Sequence, residues 1–208
     1  MKTLQLVGLT KKFGEKHILN QLDFEFHSPS RYIIHGESGS GKTTLLNLIA
    51  GYDNPDSGRV EGGGALNVGY LFQDEMLFSN LTVRENLFIK YASFSPYHQA
   101  DSHFEALITR TLHDFNILDL IDRKVSMLSG GEKQRVQLAS ILISEPDIIL
   151  MDEPTSKLDK KNKEQIIKTI ETVFKDKLII VVSHESNPLL EGGMDLRLEN
   201  GRLYHEKC

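Results

Sequence analysis

The sequence predicts an α/β domain built on a mostly parallel sheet, and three observations carry that prediction. Short apolar runs alternate along the chain with stretches of helical spacing. Two of the runs, within "PDIILMDE" (146–153) and "KLIIVVSH" (177–184), are apolar throughout their centres, as strands covered on both faces are. A third, "RYIIHG" (31–36), leads directly into a glycine-rich turn and then a helical pattern, the strand–loop–helix order of a parallel unit.

The elements follow in order. "TLQLVGL" (3–9) and "LDFEFHS" (22–28) read as strands around a turn at Phe13-Gly14. "KTTLLNLIAGY" (42–52) has helical spacing, with Leu45, Leu46, Ile49 and Ala50 on its buried face. "PDSGRVEGGGALNVGYLF" (55–72) returns to strands and turns. From about Leu81 to Met127 the pattern is helical and more polar, with a break at Ser95-Pro96, and reads as an inserted helical lobe. "DKKNKEQIIKTIETVFK" (159–175) is an amphipathic helix with Ile166, Ile167, Ile170 and Phe174 inside. Lys157, Lys160, Lys161 and Lys163 form its solvated side. In "MDLRLENGRLYHE" (194–206), Asn200-Gly201 between strand-like flanks signals a two-residue hairpin.

At 208 residues the chain suits one domain with a lobe. A net charge of −5 argues against a coat for nucleic acid, so no nucleic-acid partner is expected. The single cysteine, Cys208, leaves no internal disulfide framework, which fits a reducing cytosol. No apolar stretch suggests a secretory signal, and none approaches the roughly 20 residues of a membrane span. Membrane work is expected to use another chain.

Gly36-Glu37-Ser38-Gly39-Ser40-Gly41-Lys42-Thr43 matches the pattern G-x-x-x-x-G-K-[ST] at every fixed position. Its glycines let backbone N–H groups converge on phosphates, Lys42 would reach the β- and γ-phosphates, and the Thr43 hydroxyl would hold Mg²⁺. A nucleoside triphosphate is the expected ligand. Asp152 and Glu153 stand where a buried strand emerges at a sheet edge, the place where open α/β sheets bind ligands. Asp152 can hold the metal, directly or through its water. Glu153 can polarise an attacking water. His184 ends the next strand, beside the carboxylates, where it could donate to the γ-phosphate or orient the water.

"LSGGE" (128–132) places Ser129, Gly130 and Gly131 at a second helix start, with Ser129 as N-cap and Glu132 three residues on. The unpaired N–H groups there make another anion site. Both glycine loops head helices separated by a lobe, so two chains closing each other's sites is the economical arrangement.

With these motifs in this order the chain resembles the ATPase subunits of ABC (ATP-binding cassette) transporters. The resemblance covers essentially its whole length. "GESGSGKT" is similar to the Walker A loop, with Thr44 beside it. "LFQD" is similar to the Q-loop, whose glutamine, Gln73, would contact metal and couple subunits. "LSGGEKQR" resembles the family signature, and "IILMDEP" resembles Walker B with Glu153 as the catalytic glutamate. "VVSH" resembles the switch-histidine segment. Phe13 stands where the family has an adenine-stacking aromatic, and Asp159 is kept in the D-loop, where Lys157 replaces a usually small residue.

The resemblance implies a P-loop NTPase (RecA-like) core, mostly parallel, with an N-terminal antiparallel β-subdomain. It also implies a helical subdomain inserted at about 79–128. ATP and Mg²⁺ would be the cofactors. A transmembrane permease, and a second copy or a paralogous cassette, would be the partners. The chain would sit in the cytoplasm, peripheral on the inner face of the cell membrane. The small size and "GESGSGKTTLLNLIAGYDNPDSG" look most like the lipoprotein-releasing, macrolide-export and bacteriocin-export branch. The ATPase of a small-solute importer is the alternative within transport. A soluble cassette protein acting on ribosomes or DNA, and a weakly hydrolysing regulator, are the alternatives outside it.

Overall fold

The computed structural model describes residues 3–62, 66–94, 102–183 and 192–206. These divide into two units: one contains Met1–Gln73, Asp147–Pro154 and Phe174–Cys208, and the other contains Asp74–Pro146 and Thr155–Val173.

The first unit carries two sheets. β1 (Thr3–Phe13) pairs antiparallel with β2 (Lys16–His27) and β4 (Ser57–Glu61), giving the order β2-β1-β4. The Phe13↔Lys16 pair leaves a two-residue turn with Gly14 at φ +61°, a conformation that glycine adopts without penalty. The second sheet uses β3 (Ser30–His35), β5 (Val68–Leu71), β6 (Ile148–Asp152), β7 (Leu178–Val182), β8 (Met194–Glu199) and β9 (Arg202–His205). Its order is β5-β6-β7-β3-β8-β9, parallel except for the final β8–β9 hairpin. Asn200 and Gly201 both have positive φ in that hairpin's turn, as the Asn-Gly signal requires. The expected α/β core with its antiparallel β-subdomain is present.

Every residue of β6 and of β7 is buried, which accounts for their unbroken apolar runs. Helix α1 (Lys42–Ala50) buries Leu45, Leu46, Leu48 and Ile49 in the same core. Each such side chain contributes about 1.5–3 kcal/mol of apolar burial. Leu48 takes the place expected for Ala50, which is only partly covered. The helix stops at Gly51, whose φ of +74° lets its N–H reach Leu48 O while the Tyr52 N–H reaches Asn47 O.

The second unit is helical: α2 (Val83–Ala92), α3 (Ser102–Asp114), α4 (Gly130–Ile143) and α5 (Lys160–Val173). Phe104, Ile108, Leu112 and Phe115 are buried along α3 and just past it, and Val136, Leu138 and Ala139 along α4. Thr82 caps α2 in a reciprocal pair with Glu85. On α5, Ile166 and Ile170 are buried, whereas Ile167 is only half covered. The break expected at Ser95-Pro96 lies outside the described residues. Among the described residues, no helix is long and apolar enough to cross a membrane.

Candidate functional site

The turn between β3 and α1 holds Gly36 to Gly41. Gly39 and Gly41 have φ of +75° and +102°, so the backbone takes a path that side-chain-bearing residues resist. A Cβ on Gly41 would stand 2.4 Å from Ile18 Cγ2, and one on Gly36 would stand 2.8 Å from Leu198 O. The loop is thus wedged between the start of β2 and the end of β8. Ser38 lies on the same turn, and Thr44 is in the first turn of α1.

The contents of this cradle suit an anion and its metal. Lys42 is 5% exposed, and its ammonium donates to the carbonyls of Gly36 at 2.8 Å and Glu37 at 2.9 Å. Burial lowers its pKa below the ordinary lysine value, while the charges of Glu153 and then Asp152 act the other way. Ser40 Oγ is buried with no hydrogen-bond partner among the described residues, an orphan that a phosphate oxygen would satisfy. The Thr43 hydroxyl donates to Asp152 Oδ2 at 2.7 Å, although the two residues are 109 apart in sequence. A hydroxyl and a carboxyl group side by side are hard oxygen donors of the kind Mg²⁺ takes.

Asp152 closes β6 opposite Val182 of β7, so the carboxylates stand at the end of the parallel strands where the loop also lies. Glu153 follows with φ of +51°, a strained conformation for a residue with a side chain. Its N–H donates to Val182 O at 3.0 Å, which holds that turn in place. Gln73, just past β5, brings Nε2 to 3.5 Å from Glu153 Oε2. Lys42, Thr43, Gln73, Asp152 and Glu153 therefore gather within the first unit. His184 lies outside the described residues. Phe13 sits at the tip of the β1–β2 hairpin, 58% exposed, five residues before the Ile18 that abuts Gly41.

The signature residues belong to the second unit. Ser129 caps α4 in a reciprocal arrangement: its N–H and hydroxyl each donate to Glu132 Oε2 at 2.7 Å, and the Glu132 N–H returns to Ser129 Oγ at 3.4 Å. These two donors hold the Glu132 carboxyl below its ordinary pKa, with smaller help from Arg135 and Arg123. A Cβ on Gly130 would meet nothing within 4 Å, whereas one on Gly131 would be 2.6 Å from Asn162 Oδ1. Asp159 accepts from the Asn162 backbone N–H at 2.9 Å and from its side-chain amide at 2.7 Å. Those bonds lower the Asp159 pKa.

Four contributors escaped the sequence reading. Ile18 buttresses the loop, and no motif marks it. Asn162 joins Asp159 to Gly131, and the Asp-x-x-Asn spacing of a helix cap was its available signal. Asp74 and Glu75 pair with Lys157 and Lys133, each at 3.2 Å.

The family profile described as ABC transporter matches residues 19–156. The chain belongs to the ABC transporter family. It is 33% identical over 204 residues to the sulfate/thiosulfate import ATP-binding protein CysA of Pectobacterium atrosepticum, a match covering 91% of this chain and 61% of that protein. It is 37% identical over 169 residues to the molybdenum import ATP-binding protein ModC of Brucella suis, covering 73% of this chain and 45% of that protein. The chain thus spans about half to three-fifths of the length of these relatives. Among solved structures it resembles a dimeric ATP-binding cassette in a post-hydrolysis state bound to ADP and Pi. There the TM-score is 0.83 at 28% identity, over 98% of this chain and 97% of that one.

Proposed function

We propose that this chain is the ATP-hydrolysing subunit of an import-type ABC transporter, turning over ATP and water to ADP and phosphate in a head-to-tail pair of cassettes. The observation that carries the hydrolytic reading is the convergence of Lys42, Thr43, Asp152 and the Gln73–Glu153 pair at one sheet edge. Backbone N–H groups of Gly39 to Thr43 and the Lys42 ammonium hold the phosphates, with the Ser40 hydroxyl and Thr44 adding donors. Thr43 and Asp152 would hold Mg²⁺, and Gln73 would be a further ligand. Those ligands would let the ion supply charge neutralisation to the phosphates. Glu153 orients the attacking water and accepts its proton, and the Gln73 amide sets where that carboxylate points. His184 is assigned by its motif to the γ-phosphate side.

Ser129, Gly130, Gly131 and Glu132 close the partner's nucleotide site, and Asp159 supports them through Asn162. The open surface over Gly130 and the amide-bearing start of α4 support that role. A membrane permease is the second partner. Met76, Phe78 and Ile89 line a groove of about 150 Å³ in the helical unit, with Met76 and Phe78 66% and 58% exposed, and an apolar patch of this kind suits docking. Such docking places the chain on the cytoplasmic face of the membrane.

The export branch expected from the sequence finds no support among the relatives reported above, whose names are those of import proteins. The import alternative is the better supported reading. Glu153→Gln tests the catalytic part: the variant is expected to bind ATP, stay paired on size exclusion and lose at least about 100-fold in turnover. Wild-type turnover in that variant would remove Glu153 from the role. Recovering the tagged variant from gently extracted membranes tests the transporter type. A permease with few spans and a large extracytoplasmic domain would refute the import reading.

A further inference from the structure

Lys11 is a largely covered cation beside Phe13, the ring that the family resemblance assigns to the nucleotide base. Its side chain is 11% exposed. Its ammonium donates to Asp53 Oδ1 and to Asn54 O, each at 2.7 Å, and lies 5.7 Å from the centroid of the Phe13 ring. The neighbouring Lys12 is exposed, so this placement is particular to Lys11. The Asp53–Asn54 turn that holds the ammonium follows α1, the helix whose first residues are Lys42 and Thr43. The same turn is fastened to β1 twice more, by the Asp56 N–H to Thr10 O at 2.9 Å and the Lys12 N–H to Asp56 Oδ2 at 2.6 Å. The hairpin tip bearing Phe13 is therefore tied to the far end of the phosphate-loop helix, and Lys11 is the tie that also touches the ring.

We infer that Lys11 is a positioning residue for the nucleotide base: it fixes the Phe13 ring from one face, so that the opposite face is presented for stacking. The inference rests on the reading of Phe13 as the base platform and deepens it. Two physical effects follow. A cation over one face is attracted by the ring's quadrupole and holds its orientation. It also draws electron density from the ring, which favours stacking of an electron-rich purine on the other side. Phe13 carries no hydroxyl to anchor it, so its orientation depends on such a neighbour.

The test is calorimetric titration of the full chain with Mg²⁺–ATP and, separately, with inorganic tripolyphosphate, which has the phosphates and no base. Lys11→Met is expected to weaken ATP about 3- to 5-fold, the equivalent of an exposed cation–π contact, and to leave tripolyphosphate unchanged. Lys11→Arg should restore ATP affinity to within about 2-fold, since guanidinium can also cover the ring. In a Phe13→Ala background, Lys11→Met should add nothing. Equal weakening of both ligands would mean that Lys11 acts through the phosphate loop, and the inference would fall. Unchanged ATP affinity in Lys11→Met, with clear weakening in Phe13→Ala, would overturn the inference alone. Unchanged affinity in Phe13→Ala would overturn the platform reading and the inference with it.

Discussion

Gly131→Ala and Gly130→Ala are a matched pair, adjacent in sequence and opposite in surroundings. At Gly131 the added methyl would lie 2.6 Å from Asn162 Oδ1 and 2.9 Å from its Cγ. Asn162 cannot simply turn aside, because its amide is bonded to Asp159 Oδ2 and its backbone N–H to Oδ1. Relief requires either losing the amide bond to a carboxylate or moving α4 against α5. Overpacking of this kind costs about 1–3 kcal/mol, and the gain in helix propensity returns about 0.5–1 kcal/mol. The expected net loss is about 1–2 kcal/mol. At Gly130 nothing lies within 4 Å, so only the propensity gain remains, and the chain should be as stable as wild type or slightly more so. With a urea slope of about 2 kcal/mol per molar, Gly131→Ala should lower the unfolding midpoint by about 0.5–1 M and Gly130→Ala should not lower it. Equal midpoints would refute the packing argument. Gly130→Ala also tests function, since a methyl on the surface offered to a second cassette should weaken ATP-dependent pairing without unfolding the chain. Pairing at wild-type strength would refute that placement.

Thr43→Val removes the hydroxyl beside Asp152 with little change in volume, so the Mg²⁺-dependent gain in ATP affinity should largely disappear. Titrations with and without the ion would show an undiminished gain if Thr43 were not a ligand. The folded-state pKa of Glu132 lies below its unfolded value, so its contribution to stability is complete above the ordinary carboxylate range and is lost as pH falls through the folded value. Glu132→Gln should therefore flatten the acid decline in urea midpoint below about pH 4.5. An unchanged slope would deny the cap its charge. The Lys157–Asp74 pair joins side chains that are 63% and 92% exposed, so Lys157→Ala should change stability by less than about 0.5 kcal/mol. A larger shift in the unfolding midpoint would show that the pair is held more firmly than its exposure implies.

The first unit was legible because strands buried on both faces leave unbroken apolar runs, and because Asn200-Gly201 and the glycines of the phosphate loop mark chain paths that few other residues follow. The second unit was harder. Amphipathic spacing on α5 shows that Ile166 and Ile170 need a covering surface, but it cannot say which element supplies one. In the structure α5 and α4 share the helical unit with α2 and α3, although strand β6 separates them in sequence. Spacing also overstates a buried face at its margins: Ile167 and Ala50 sit at the correct angles, yet both remain partly exposed.

The site shows the same division between local chemistry and distant partners. Thr43 and Asp152 could each be picked from their own motif, because a phosphate loop and a carboxylate at a strand end are locally written. Their direct hydrogen bond follows from the strand order, which sets β6 two places from β3 with only β7 between. No motif predicts the strain at Glu153. A left-handed turn at a residue other than glycine persists only where its surroundings enforce it, here the Glu153 N–H bond to Val182 O. That bond uses the backbone of β7 at Val182, the strand's last residue. The turn carrying the proposed general base is thereby tied to β7, the central neighbour of β6 and β3. A shift along β7 would reach Glu153 through its main chain before any side chain moved.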